Sequence, residues 1–165
     1  MVILGSGGHT KEMLDLCAHL DFENKFKPLV FVIAKHDHLS SRKVQNFAEF
    51  KNSKVLFVFR SRKVGQSYFS SIFTTLWATL EALLVCAKER PQLLLCNGPG
   101  TCIPFCVAAR LTSFHCTQVF VESFCRTRSL SLSAKIALFI SDYVLVQWPH
   151  LAKKYPKCIY EGLLV

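Results

Sequence analysis

A histidine follows three glycines within the first nine residues of the chain, in the segment GSGGHT (residues 5–10). Gly5, Gly7 and Gly8 allow a tight turn and a close approach of the backbone to a ligand. A helix that starts here offers free N–H groups and the positive end of its dipole, which suit a phosphate group. Because neither a complete G-x-G-x-x-G pattern nor a P-loop Lys-Ser/Thr pair is present, a purely structural turn is the alternative.

His9 stands at the start of that helix. A histidine in this position can accept a proton near neutral pH, so it is a candidate general base. The alternative is that its ring caps the helix or hydrogen-bonds the turn.

A second loop, CNGPGT (residues 96–101), repeats the arrangement after a later apolar strand. Asn97, Gly98 and Gly100 shape this loop, and Thr101 is predicted to cap the following helix. Two glycine-containing loops that each precede a helix favour a ligand site over two unrelated turns.

A third segment, VESFCRTRSLS (residues 121–131), carries Glu122, Arg126 and Arg128. Two arginines beside a helix start could bind a diphosphate, and Ser129 or Ser131 could cap that helix. The alternative is a solvated loop in which Glu122 pairs with one of the arginines.

The segment RSRKVGQSYFSSIFTTLW (residues 60–77) is first basic and then aromatic. Its aromatic residues recur every fourth position, so they share one stripe of a helix. The stripe either packs on a sheet or lies in a membrane surface with the cations on the headgroups. The residues of the membrane interpretation are Arg60, Arg62, Lys63, Phe69, Phe73 and Trp77. We expect no nucleic-acid partner, because no recognisable nucleic-acid-binding module is present.

The overall composition fits one domain that spans residues 1–165. The formal charge of +9 points to an anionic partner or to a solvated basic surface. The eight cysteines form no C-x-x-C pair and mostly occupy apolar runs, so buried free thiols in a reducing compartment are expected. Their spacing does not favour a zinc site, and we expect no metal and no cofactor.

Apolar strands alternate with helical patterns along the whole chain. Strands are predicted at residues 2–4, 28–34, 54–60, 92–98, 117–123 and 143–148, and helices at about 11–20, 67–89, up to 111, 130–140 and 151–155. This alternation predicts an α/β fold, a Rossmann-like parallel sheet with helices on both faces. Ligands of such sheets bind beyond the carboxyl ends of the strands, where the first three loops described above are expected to lie.

Four segments together resemble one protein family: GSGGHT, LLCNGPGTCIPFCV, VESFCRTRSLSLSAKI and SDYVLVQWPHLAKKYPKCIYEG. The family is the membrane-anchoring subunit of the two-part UDP-N-acetylglucosamine transferase of the dolichol pathway of asparagine-linked glycosylation. The resemblance covers nearly the whole chain in the right order. It implies a fold similar to the N-terminal, acceptor-binding half of a GT-B glycosyltransferase, related to the bacterial lipid II-forming enzyme.

The resemblance also implies a reaction. The complex adds the second N-acetylglucosamine to dolichyl-diphosphate-N-acetylglucosamine on the cytosolic face of the endoplasmic reticulum membrane. A catalytic partner subunit supplies the half that binds the UDP-sugar, so the chain alone is expected to be inactive.

Individual residues take roles from the same resemblance. His9 is the candidate base for the attacking 4-hydroxyl group and Glu122 the second candidate, while Arg126 and Arg128 are candidates for diphosphate contact. The residues expected to contact the acceptor diphosphate or sugar are Gly5, Ser6, Gly7, Gly8, Asn97, Gly98, Gly100 and Thr101. The basic and aromatic helix would help to hold the bilayer surface.

One feature departs from the family pattern. The family carries an N-terminal transmembrane helix before the first strand, and we expect that anchor to be absent from the sequence as given.

The alternative function is a stand-alone nucleotide-binding Rossmann enzyme, although no acidic residue closes an apolar strand about 20 residues after the first loop. Asp37 is the acidic residue nearest to the position where a ribose contact would be expected. The C-terminal YEGLLV is either a docking segment or a final core strand.

Overall fold

A computed structural model of the chain describes residues 1–21, 25–46, 53–61, 68–98 and 100–164. The strands in these ranges are β1 (Val2–Ile3), β2 (Val30–Ala34), β3 (Lys54–Val58), β4 (Leu93–Asn97), β5 (Thr117–Val121), β6 (Tyr143–Leu145) and β7 (Cys158–Ile159). The helices are α1 (Gly8–Ala18), α2 (His38–Asn46), α3 (Tyr68–Glu89), α4 (Cys102–Thr112), α5 (Leu132–Ile140) and α6 (Pro149–Lys154).

All strand pairs are parallel, and the strand order is β3-β2-β1-β4-β5-β6-β7. The short β1 lies between β2 and β4, with Val2 opposite Phe31 on one side and Ile3 opposite Cys96 on the other. The order reverses at this place, which makes it the switch point where ligands of open α/β sheets bind. The prediction of a Rossmann-like parallel sheet is confirmed.

Alternation along β2 shows how the sheet is covered on both faces. Phe31 and Ile33 belong to a core cluster with Met13 and Leu14 of α1, whereas Val32 belongs to a second cluster with residues of α3, α4 and α5. Because successive side chains of a strand point to opposite faces, α1 packs on one face and α3, α4 and α5 pack on the other.

Helix α2 was not predicted from the sequence. It contains few apolar residues, and of these Val44 is buried while Leu39 is exposed. A single buried contact leaves no helical period to detect. The predicted strands also extend beyond the observed ones, at residues 4, 28–29, 59–60, 92, 98, 122–123 and 146–148, which lie in the loops that flank the strands.

Helix α3 faces the core with small side chains and the solvent with large ones. Ala78, Ala82 and Cys86 are buried at four-residue intervals, and Ala82 and Cys86 share a core cluster with Ala108 and Ala109 of α4. Small residues on both helices let α3 and α4 approach closely. The large apolar residues that remain exposed are Ile72, Phe73, Leu76, Trp77, Leu80 and Leu84.

This arrangement contradicts the interpretation in which the aromatic stripe packs on the sheet. The side chains of Phe73 and Trp77 are 66% and 61% exposed. The side chain of Phe69, and Arg62 and Lys63, lie outside the described residues. Within the described ranges, no helix combines the length and the apolar character needed to cross a membrane.

Candidate functional site

Three loops meet at the carboxyl edge of the sheet, after β1, β4 and β5. The first and third of them border an open pocket of about 420 Å³, which is lined by Gly8, His9, Glu12, Ser123, Cys125 and Arg126. The residues predicted to contact the acceptor in the second loop, Asn97, Gly98, Gly100 and Thr101, do not line it. A smaller cavity of about 240 Å³ lies at the opposite edge, near Met1 and Pro28. The pocket between the loops is the candidate functional site, because parallel sheets bind ligands at their carboxyl edge.

The ring of His9 connects the first loop to the second. Its Nδ1 lies 2.8 Å from Oδ1 of Asn97, and its side chain is 35% exposed in the pocket. The residue at the N-cap of α1 is Gly7, which has a φ of +67° and no side chain to cap the helix. The ring therefore hydrogen-bonds a neighbouring loop, and not the turn that precedes it.

Glu12, like Ser123 and Cys125, lines the pocket but was not among the site residues predicted from the sequence. One of its carboxylate oxygens accepts a hydrogen bond from Nδ2 of Asn97 at 3.0 Å, and the other accepts one from Oγ of Ser123 at 2.9 Å. Glu12 stands three residues after His9 in α1, so the two side chains lie on the same face of the helix. The three-residue spacing of His9 and Glu12 was the sequence signal that could have identified Glu12 as a site residue.

The first loop is held from outside by two cationic side chains. The guanidinium of Arg60 donates to Oγ of Ser6 at 2.6 Å, and Nζ of Lys43 donates to the carbonyl oxygen of Gly7 at 3.3 Å. Arg60 was predicted from the sequence to lie at the membrane surface. In the structure its side chain contacts the predicted phosphate loop. Lys43 belongs to α2, which was not predicted.

Buried hydroxyl groups support the same loop from below. The carbonyl oxygen of Gly5 accepts a hydrogen bond from the hydroxyl of Thr10, beside which the hydroxyl of Ser40 lies. Asp37 in turn accepts from the hydroxyl of Ser40 at 2.7 Å and from its backbone N–H at 3.1 Å. The carboxylate nearest to the expected ribose contact is therefore occupied at the start of α2, which weakens the case for a dinucleotide enzyme.

In the second loop, Gly98 shapes the backbone as predicted, but Thr101 does not cap α4. Gly98 has a φ of +81°, a conformation that side-chain-bearing residues rarely adopt. Thr101 was predicted to cap α4, but its backbone is helical and its side chain makes no capping hydrogen bond. A capping residue usually has an extended backbone that aims its side chain at the helix N–H groups, and Thr101 lacks it.

Glu122 is buried under the third loop. Its Oε1 accepts from the N–H of Ser123 at 3.0 Å and its Oε2 from the N–H of Ser131 at 2.6 Å. Both carboxylate oxygens thus accept from backbone N–H groups, and not from an arginine as the alternative predicted. These contacts favour a structural role, in which the carboxylate holds the loop to the start of α5.

The remaining residues of the third loop are more accessible. Arg126 lines the pocket and is exposed, whereas Arg128 is exposed but does not line it. Ser131, one of the two predicted capping residues, caps α5 by accepting from the N–H of Ala134 at 3.0 Å. Arg126 is therefore the arginine of this loop that is positioned to meet an anionic ligand beside His9.

The cysteines follow the expectation of buried thiols with one exception. Burial raises the pKa of Cys17 and of Cys86 to about 12, so both thiols are protonated and unreactive near neutral pH. Cys125 is the exposed cysteine, and it lines the pocket.

Comparison with known proteins places the chain in a family. A family model described as "Oligosaccharide biosynthesis protein Alg14 like" matches residues 1–164. The chain belongs to the Alg14 family. The recognition made from the four sequence segments is therefore confirmed.

Curated members of the Alg14 family match over the whole chain. The mouse protein is 40% identical, and the human protein is 41% identical; the match covers 100% of this chain and 82% of each relative. The relative from the yeast Yarrowia lipolytica is 40% identical, and 80% of it is covered. All three are named UDP-N-acetylglucosamine transferase subunit ALG14. Family membership favours a transferase subunit over a stand-alone nucleotide-binding enzyme.

Solved structures share the fold at low sequence identity. MurG from Acinetobacter baumannii superposes with a TM-score of 0.73 at 15% identity, and UDP-N-acetylglucosamine 2-epimerase from Rickettsia bellii with 0.64 at 17%. In each case 99% of this chain is covered, but it spans only 44% of the other chain. The fold is thus that of one Rossmann-like half of a GT-B protein, as the resemblance implied.

Proposed function

We propose that this chain is the acceptor-binding subunit of a UDP-N-acetylglucosamine transferase. The complex adds the second N-acetylglucosamine to dolichyl-diphosphate-N-acetylglucosamine on the cytosolic face of the endoplasmic reticulum membrane. The names of its Alg14 relatives support the type of reaction. The observation that carries acceptor binding is that His9 and Arg126 line the same pocket.

The acceptor needs both of these side chains. Its diphosphate is anionic, and an arginine presents several N–H donors that match phosphate oxygens. Its attacking 4-hydroxyl group must lose a proton, which an imidazole can accept near neutral pH. Arg126 therefore contacts the diphosphate, and His9 contacts the hydroxyl group.

The transfer step proceeds as a displacement at the anomeric carbon of the donor sugar. Nε2 of His9 takes the proton of the 4-hydroxyl group while the hydroxyl oxygen forms a bond to C1 of the donor N-acetylglucosamine. The bond between C1 and the UDP oxygen breaks, and UDP leaves with the bonding electron pair. A positioned general base contributes about 10²- to 10⁴-fold to the rate of such a step.

The donor site comes from a catalytic partner subunit. The chain provides one Rossmann-like sheet and spans 44% of the MurG chain with which it superposes. A GT-B cleft forms between two such halves, and the relatives' name as transferase subunits supports a second half that another polypeptide supplies. We expect the chain alone to bind the acceptor without transferring sugar, and to recruit its partner to the membrane.

The exposed stripe of α3 supports attachment to the membrane surface. Phe73, Trp77 and the neighbouring exposed leucines form a contiguous apolar strip on the outer side of the helix. Large exposed apolar patches mark interaction sites, and Trp and Phe side chains are suited to the boundary between headgroups and acyl chains. Attachment of the chain to the membrane through this strip would bring the pocket close to a lipid-linked acceptor.

Reconstitution tests the whole proposal. Labelled UDP-N-acetylglucosamine and a diphosphate-lipid-linked N-acetylglucosamine are incubated with this chain, with the catalytic subunit, and with both. Product in the mixture alone supports a split enzyme, whereas product from this chain alone overturns it. Absence of product from a folded, associated and membrane-bound mixture also overturns it.

Substitution of His9 tests the site within the same assay. We expect His9→Gln to lower kcat by about 100-fold or more, the lower limit for loss of a positioned base. His19→Gln is the matched control, because His19 lies at the other end of α1 and bonds the backbone carbonyl of Asp15. A rate unchanged by His9→Gln would exclude His9 as the base.

A further inference from the structure

We propose that Glu12 and Asn97 are positioning residues that hold neutral His9 in the tautomer with its proton on Nδ1. The lone pair of Nε2 is then the one available to a substrate proton. The inference rests on the proposed function in one respect, namely that His9 acts as the base. Its structural part depends only on the contacts of the described residues.

The orientation of the Asn97 amide is set by Glu12. The Nδ2 group of Asn97 lies 3.0 Å from Oε2 of Glu12, and a carboxylate accepts hydrogen bonds but cannot donate them. The amide nitrogen must therefore face Glu12. The amide oxygen, Oδ1, is the atom left to face His9, at 2.8 Å from Nδ1.

The tautomer of His9 follows from that orientation. An amide oxygen is an acceptor only, so the hydrogen bond to Asn97 requires a proton on Nδ1 of His9. A neutral imidazole carries one N–H, which leaves Nε2 unprotonated.

Glu12 is itself anchored on its other side. Its Oε1 accepts from Oγ of Ser123 at 2.9 Å, and the same Oγ accepts from the N–H of Cys125 at 3.3 Å. Asn97 and Ser123 are buried and the Glu12 side chain is 15% exposed, so water competes little for these groups. The network joins α1 to the loops after β4 and β5.

Glu12 also faces the charge that forms during transfer. When Nε2 accepts the substrate proton, the ring becomes an imidazolium with protons on both nitrogens. Oε2 of Glu12 lies 3.7 Å from Nδ1, so a negative charge is close to the new positive one. The carboxylate is thereby oriented before the positive charge forms.

Nuclear magnetic resonance of the full chain, labelled with ¹⁵N-histidine, tests the tautomer directly. At a pH where His9 is neutral, we expect a pyrrole-type signal for Nδ1 and a pyridine-type signal for Nε2. The His9 signals are assigned by their loss in His9→Gln. The opposite pattern, with the proton on Nε2, would overturn the proposal without the need for any further variant.

Two substitutions then test the cause. In the double variant Asn97→Ala, Glu12→Gln, the Asn97 acceptor and the Glu12 carboxylate beside Nδ1 are both removed, whereas Asn97→Ala alone would leave Oε2 of Glu12 at 3.7 Å. In Glu12→Gln alone, the amide of Asn97 is no longer constrained by an acceptor-only group. We expect both to shift His9 toward the Nε2–H tautomer. Asp15→Asn is the matched control, because it makes the same chemical change as Glu12→Gln one turn further along α1. A wild-type tautomer in both test variants would contradict the inference.

Kinetics of the reconstituted complex separate this inference from the proposed function. We expect Glu12→Gln to lower kcat by about 10- to 100-fold, part of what a positioned base contributes, with the KM for the lipid acceptor changed little. A raised KM with unchanged kcat would overturn the positioning role. If the wild-type mixture transfers no sugar but His9 shows the Nδ1–H tautomer, the network stands and the proposed function fails.

Discussion

The imidazole of His9 lies against Gly98 so closely that a Cβ atom at position 98 would sit 2.5 Å from both Cε1 and Nδ1 of the ring. The Gly98 backbone also adopts a φ of +81°. Two separate requirements therefore converge on one residue, because a side chain here would be strained by its own backbone and would collide with the candidate base.

We predict that Gly98→Ala lowers transfer by the complex by about 10-fold or more, since the ring must move away from Asn97. We also expect a loss of about 1–2 kcal/mol in the free energy of unfolding from the left-handed backbone conformation. Activity and urea-induced unfolding are measured on the same preparations.

Gly100→Ala is the control for this prediction. A Cβ atom at Gly100 would meet Oγ of Ser61 at 3.5 Å, which is an ordinary van der Waals contact. We expect this variant to retain activity and stability, because Gly100 does not line the pocket, although an acceptor contact was predicted for it from the sequence. Full activity of Gly98→Ala would show that the close approach of ring and glycine is not needed.

Thiol labelling is predicted to begin at Cys125. It is the exposed cysteine of the eight, while burial raises the pKa of buried thiols such as Cys17 and Cys86 to about 12. Because Cys125 lines the pocket with His9, a bulky maleimide there should block transfer. Mass spectrometry of the briefly treated native protein identifies the labelled residue.

Cys125→Ser is expected to remain active and to resist inactivation by the maleimide. Acceptor added before the reagent should slow the labelling of the wild-type chain. Full transfer activity after complete labelling of Cys125 would show that the acceptor does not occupy this pocket.

The stability of the chain is predicted to depend on pH through Asp142. Burial raises the pKa of this carboxyl, but hydrogen bonds from the N–H of Gln118 at 2.8 Å and from Arg110 at 2.9 Å outweigh it, and the pKa lies below its usual value of 3.8. The unfolded chain therefore binds this proton at higher pH than the folded chain does. The stabilisation is present above pH 3.8 and is lost as the pH falls through the lowered pKa.

We expect Asp142→Asn to be less stable than the wild type near pH 7, by no more than about 1 kcal/mol because the pair is partly exposed. The difference should shrink as the pH falls below about 4. Urea unfolding followed by circular dichroism at both pH values measures it, with Asp15→Asn as a carboxylate control on α1. A difference that is constant with pH would contradict the assignment to this carboxyl.

Membrane binding is predicted to require the exposed face of α3. Replacing Phe73 and Trp77 by serine should weaken binding to vesicles containing anionic lipid by at least about 10-fold, equivalent to about 1.4 kcal/mol. Both side chains are exposed, so the fold should be unaffected. Flotation with vesicles measures the bound fraction.

Phe114→Ser is the control for α3, because Phe114 is 78% exposed and follows α4 at its far end. We expect this variant to bind vesicles like the wild type. Equal binding of the Phe73 and Trp77 variant would mean that another surface of the chain meets the lipid.

Sequence patterns were sufficient for the class of fold and for the location of the loops. Continuous apolar strands separated by helices specify a parallel sheet, because only a sheet covered on both faces buries such strands. In that fold the loops after β1, β4 and β5 must share one edge, so His9, Asn97 and Arg126 could be grouped before any coordinates were known.

Tertiary contacts decided which side chains meet and which faces are buried. Glu12 joins the site through hydrogen bonds to residues 85 and 111 positions away, and such pairings leave no local pattern. Phe73 and Trp77 are exposed because small residues elsewhere on α3 pack against α4, a matter of fit between two helices. Periodicity in one segment identifies its faces, but only the neighbouring element determines which face is covered.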